Sequence, residues 1–191
     1  MSGCAPPRVV VLTDAAQLPA GRDLLGTVRA CHRAGLEAVV VREHDLEPGA
    51  RSDLVAALAA LPGLRVVSSR VPDPAAHAVH LAAWQPAPGH GPPWGRSCHS
   101  AAGVARAARQ GAGWATLSPY AATPSKPGYG PLVPSAAYAG HPVPVFALGG
   151  VDPGNAASAL RAGAWGVAVM GAVMRAADPG RVVAALREVV R

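Results

Sequence analysis

The residues best suited to move a proton in this chain are His99, in GRSCHS, and Glu43, in VVVREHD. An imidazole titrates near neutral pH without much tuning, and a carboxylate facing it can complete an acid/base pair. Arg42, next to Glu43, suits a structural role or the grip of a substrate carboxylate. Thr123, Ser125 and Lys126 stand together in AATPSKPGYG, and Lys126 is the only lysine among 17 basic residues. Gly149 and Gly150 in PVFALGGVDPGN, and Gly171 in AVMGAV, each end an apolar run just before helical sequence. Backbone N–H groups at such turns, joined by helix amino ends, suit a phosphate. Gly150→Val is therefore expected to block phosphate while leaving the fold largely intact.

Other candidates drop away. His80 reads as a histidine packed inside the fold, and His44 points to the face opposite Glu43. His32, His77, His90 and His141 fall in helices or loops and carry no role. Cys98 alternates with Ser97 and His99 along a strand, so its thiol points away from both and no Cys–His nucleophile forms. Asp14 closes the first apolar run, but Ser68-Ser69 and Ala82-Ala83-Trp84-Gln85 close the third and fourth without a carboxylate. No metal site is expected from such a set.

The candidate site residues sit at or just beyond the carboxyl ends of short strands. The runs at 8–14, 37–43, 65–69, 78–82, 95–99, 114–119, 145–148 and 166–171 are apolar and mostly not alternating, as parallel strands covered on both faces should be. Ala/Leu-rich helical sequence separates most of them, which implies a parallel sheet. Eight such units predict a small (β/α)8 TIM barrel, one α/β domain over residues 1–191. The chain is short for a barrel. Reduced helices are expected after strands three and four, where 70–77 and 83–94 are rich in proline. In a barrel the strand carboxyl ends build the active site, and the last two strands commonly hold phosphate, which is where Gly149, Gly150 and Gly171 lie.

Bulk properties narrow the class. The chain has 191 residues, 50 % hydrophobic and 15 % charged, enough for a full core in one globular domain. The net charge of +6 comes from scattered arginines with no basic run or interleaved aromatics, so no nucleic-acid partner is expected. No apolar run reaches membrane-spanning length, and MSGCAPPRVVVLTD enters a strand too early for a signal peptide, so a cytoplasmic location is expected. Three cysteines without CxxC spacing imply neither disulfides nor zinc.

In order along the chain, VVVLTD, VVVREHD, WGRSCHS, LSPYAATPSK and PVFALGGVDPGNAASALRAGAWGVAVMGAV resemble the strand-end motifs of the thiamine-phosphate synthase/TenI superfamily. Ser118 stands where the loop motif usually has glycine. The synthase branch, which joins a pyrimidine diphosphate to a thiazole phosphate with Mg2+, carries a strand-two lysine and two metal-binding aspartates. Here the matching positions read His44, Ser68 and Ser69, and Ala83 and Gln85. The resemblance therefore implies the TenI branch: a metal-independent thiazole tautomerase of thiamin biosynthesis, with His99 and Glu43 catalytic, Arg42, Thr123, Ser125 and Lys126 on substrate, Gly149, Gly150 and Gly171 on phosphate, and a thiazole phosphate as ligand. Two alternatives stay open: a synthase, which would bring Mg2+ with it, and a non-catalytic binding or regulatory protein. A homo-oligomer is also open.

Overall fold

Short apolar strands can be buried on both faces only if helices cover one side and a closed interior the other, and that is the arrangement found. The computed structural model describes residues 6–123 and 130–191. Its strands are β1 (Val9–Leu12), β2 (Ala38–Val41), β3 (Arg65–Ser69), β4 (Ala78–Leu81), β5 (Trp94–Cys98), β6 (Trp114–Leu117), β7 (Val145–Leu148) and β8 (Gly166–Val169). They pair in parallel in chain order, and β8 pairs with β1, so the sheet closes into the predicted barrel.

The helices are α1 (Leu24–Arg33), α2 (Pro48–Ala59), α3 (Ala101–Arg109), α4 (Ala156–Arg161), α5 (Gly171–Met174) and α6 (Pro179–Val190). No helix follows β3 or β4 among the described residues, as the proline content foretold, and β6 is followed by a 3-10 turn at Ser135–Tyr138. Helix starts are fixed locally. Asp23, Ser100 and Asp178 accept from the backbone N–H three residues on, capping α1, α3 and α6. Among the described residues no helix is long and apolar enough to cross a membrane.

Alternation along each strand sorts side chains into two layers. Leu12, Val40, Val67, Ala78, Phe146 and Ala168 fill the barrel interior. Val11, Val39, Val41, Val66 and Val167 face outward under the helices. The interior also takes Trp114, which stacks on His80 with ring centroids 6.3 Å apart. Gly95, paired with Trp114 in register, makes room for that indole, since a Cβ there would strike the ring. These layers raise a floor on which the strand carboxyl ends open.

Candidate functional site

A cavity of about 530 Å³ lies at that end of the barrel. Its floor is a polar ring. His80 is only 4 % exposed, and its Nε2 lies 3.2 Å from both Ser97 Oγ and Thr116 Oγ1. Burial, with Arg42 and Arg96 nearby, pushes the His80 pKa down to about 4, so the ring is neutral at pH 7. Its Nδ1 is buried with no partner, although the residue lines the cavity. The expectation of a packed interior histidine holds, with one polar atom left over beneath the mouth.

His99 lines the cavity wall above β5. Its Nδ1 is 3.0 Å from the Ser118 carbonyl oxygen, which can only accept, so Nδ1 carries the proton and donates. In the neutral ring, Nε2 is then an acceptor.

Arg42 and Glu43 part company. Arg42 is in phase with inward Val40 and lines the cavity, with Nη1 4.0 Å from Asp14 Oδ2 and 2.6 Å from Met170 Sδ. Glu43 is in phase with outward Val41, is absent from the cavity wall, and accepts from the Ala15 N–H at 3.1 Å. The expected Glu43–His99 pair across the mouth is therefore not formed; strand alternation turns the carboxylate away. Thr123 lines the cavity, whereas Ser125 and Lys126 lie outside the described residues.

The three glycines do converge on one side of the mouth. Gly149 and Gly150 have φ of 92° and 66°, the left-handed region that glycine enters without strain. Gly150 packs against the carbonyls of Ala121 and Ala122 so closely that a Cβ would collide with both. Gly150→Val must therefore disturb the backbone, which corrects the expectation of an intact fold. Beside Gly171 lies the Arg175 guanidinium, which also bonds Gln17 Oε1. A cation thus accompanies the glycine amides.

Sequence reasoning missed Arg70 and Arg175. Arg70 follows β3 directly, lines the cavity, and is the only non-glycine among the described residues with positive φ, 65°. Its N–H donates to the His80 carbonyl at 2.9 Å, and its carbonyl accepts from Gln85 Nε2 at 3.0 Å. Gln85 Oε1 in turn accepts from the Ala82 N–H at 2.8 Å. Beneath, Arg51 is 8 % exposed, with Nη2 donating to Val41 O, Ser68 Oγ and Ser69 O at 2.9–3.2 Å and Nε unpartnered. His44 Nε2 is 3.3 Å from Ser69 Oγ. Burial and then Arg70, Arg51 and Arg42 lower the His44 pKa, which marks how closely these arginines gather.

The mouth does not fit a divalent cation. The described residues hold no group of three or more His, Cys, Asp and Glu able to ligate one, and segments 1–5 and 124–129 contain no Asp or Glu. Asp152 is the sole carboxylate on the cavity wall, and its Oδ1 accepts from the N–H groups of Gly154 and Asn155. Hydroxyls and guanidinium groups stand at the β3 end, where Mg2+ would want anionic oxygens.

Residues 93–173 match the family described as Thiamine monophosphate synthase. A putative thiamine-phosphate synthase from Geobacter sulfurreducens is 36 % identical over 187 residues, covering 88 % of this chain and 87 % of that protein. A thiamine-phosphate synthase from Synechocystis is 33 % identical over 86 % of this chain, which spans 53 % of that longer protein. In fold, a thiamine phosphate pyrophosphorylase from Pyrococcus furiosus superposes with a TM-score of 0.82 at 22 % identity, over 96 % of this chain and 95 % of that one. These likenesses overturn the expected tautomerase. Loss of the metal carboxylates had pointed to that branch, yet the relatives matching most of the chain bear the synthase name.

Proposed function

The chain belongs to the thiamine-phosphate synthase/TenI superfamily, and on that premise we propose that it is a transferase joining a pyrimidine diphosphate to a thiazole phosphate. The observation that carries this reading is the distribution of positive charge around one cavity. One cationic pole, Gly149-Gly150 and Gly171 with Arg175, lies at the ends of β7 and β8; the other, Arg70, lies at the end of β3, while Arg42, rooted at the end of β2, extends its guanidinium to Met170 beside the first pole. Two phosphorylated substrates that must meet need two such poles and a shared space between them.

In the reaction, the carbon–oxygen bond to the diphosphate breaks, and its electron pair leaves on pyrophosphate. A bond from the thiazole nitrogen to that carbon forms. The glycine amides and Arg175 hold the thiazole phosphate, and Arg42 orients the partner across the mouth. His99 offers Nε2 as a hydrogen-bond acceptor to the substrate on the β5 side, and Thr123 adds a hydroxyl to the wall. Ser125 and Lys126, outside the described residues, are further proposed substrate contacts. The neutral His80 floor seals the barrel without adding a charge.

Incubation of the purified chain with both substrates, followed by mass spectrometry, tests the proposal. Thiamine phosphate and pyrophosphate should appear in equal amounts. Absence of both products, with and without Mg2+, refutes it.

A further inference from the structure

The proposed transferase must place a diphosphate, and no carboxylate set in the mouth can hold a metal to neutralise it. Three arginines serve this mouth instead: Arg70 follows β3, Arg51 lies behind the end of β3, and Arg42 extends from the end of β2 to Met170. Arg42 and Arg70 line the cavity, and Arg51 is nine-tenths buried behind Ser68 and Ser69 with its Nε unpartnered. Asp14, 4.0 Å from Arg42, is the only carboxylate within ion-pairing distance of any of the three among the described residues.

Arg70 is the most telling of them. A non-glycine residue in the left-handed region is strained, and such strain persists only where its surroundings enforce it. Here two hydrogen bonds to its own backbone do so: the Arg70 N–H donates to the His80 carbonyl, and the Gln85 side-chain Nε2 donates to the Arg70 carbonyl. Gln85 is itself anchored on the Ala82 N–H. The loops after β3 and β4, which carry no helices, are thus tied together, and the result is an arginine held at the cavity wall. A glycine would relieve the strain but could not supply the charge.

Resting on the transferase reading, we propose that Arg70, with Arg42 on the same cavity wall and Arg51 behind, supplies the counter-charge for the diphosphate, so that this chain binds pyrophosphate without a divalent cation. Arginine suits this task, since its planar fork meets two phosphate oxygens at once and it stays charged at any working pH.

The test is calorimetric titration of the metal-stripped full chain with inorganic pyrophosphate, in EDTA and then in Mg2+. Binding is expected in EDTA, and Mg2+ should not tighten it by more than about twofold. Arg70→Gln should weaken it by roughly tenfold to a hundredfold, the range for losing a charge-assisted hydrogen-bonded contact. Arg70→Lys should recover part of that loss. Arg70 is exposed, so the variants should keep the parent's melting temperature within a few degrees. Binding that requires Mg2+, no binding in either condition, or an Arg70→Gln affinity equal to the parent's overturns the inference. Product formation is scored separately. Metal-free, Arg70-dependent pyrophosphate binding without thiamine phosphate synthesis would uphold this inference and sink the transferase reading.

Discussion

Replacing Gly150 by alanine separates two costs that the structure places on one residue. At φ 66° any side chain meets the left-handed penalty, about 1–2 kcal/mol. At Gly150 the new Cβ also runs into the carbonyl oxygens of Ala121 and Ala122, which are backbone and cannot rotate aside. Relieving such an overlap costs a further 1–3 kcal/mol or so. Gly63, in the turn between α2 and β3, is the control: its φ is 76°, but nothing lies within 4 Å of a built Cβ. Alanine also restricts the unfolded chain and returns about 0.4–1 kcal/mol in both variants. Gly63→Ala should therefore cost roughly 1 kcal/mol or less, and Gly150→Ala about 2–4 kcal/mol. For a domain of this size that is a fall in Tm of roughly 4–16 °C for Gly150→Ala and a few degrees at most for Gly63→Ala. Differential scanning calorimetry reads the fold, and calorimetric titration with the thiazole phosphate reads the site. Only Gly150→Ala should lose affinity, because its clash displaces Ala121 and, with it, Ala122 at the cavity wall. Equal Tm shifts for the pair, or unchanged affinity in Gly150→Ala, would refute the reasoning.

Two further outcomes are expected. His80 has a folded pKa of about 4 against 6.5 in the unfolded chain, so between those values the unfolded chain binds the extra proton. Stability should be full above about pH 6.5 and fall by up to roughly 3 kcal/mol as pH drops toward 4. Urea unfolding across that interval measures it, and a His80→Gln variant with the parent's slope would show that another group is responsible. His99→Ala should lower kcat/KM for thiamine phosphate formation by about tenfold to a hundredfold, the loss of one hydrogen bond to substrate. A rate within threefold of the parent would remove His99 from the site.

The barrel could be read from the sequence because its signal is repetitive and local. Each strand is a short apolar run, and three of the helices start at Asp23, Ser100 and Asp178, residues whose side chains do cap. Even the reduced helices showed, since proline cannot donate in a helix interior. The convergence of the three glycines was equally legible: Gly149, Gly150 and Gly171 are adjacent in space because β7 and β8 are adjacent in the sheet.

The other side of the mouth was harder to see, for two different reasons. Glu43 was misplaced although the information was present. If Val40 faces inward, Arg42 must and Glu43 cannot, and a count by twos along AVVVREH separates them. Arg70 was hidden more deeply. An arginine after Ser68-Ser69 looks like any solvated charge in a loop, and its meaning comes from Gln85, fifteen residues on, reaching back to its carbonyl. The missing aspartates were read as the loss of one chemistry, without weighing that a guanidinium group, Arg70, stands at the β3 end. Charge at a site is a sum over everything that converges there. In this mouth the sum is positive without any metal, because Arg42, Arg70 and Arg175 outnumber the single carboxylate, Asp152, on the cavity wall.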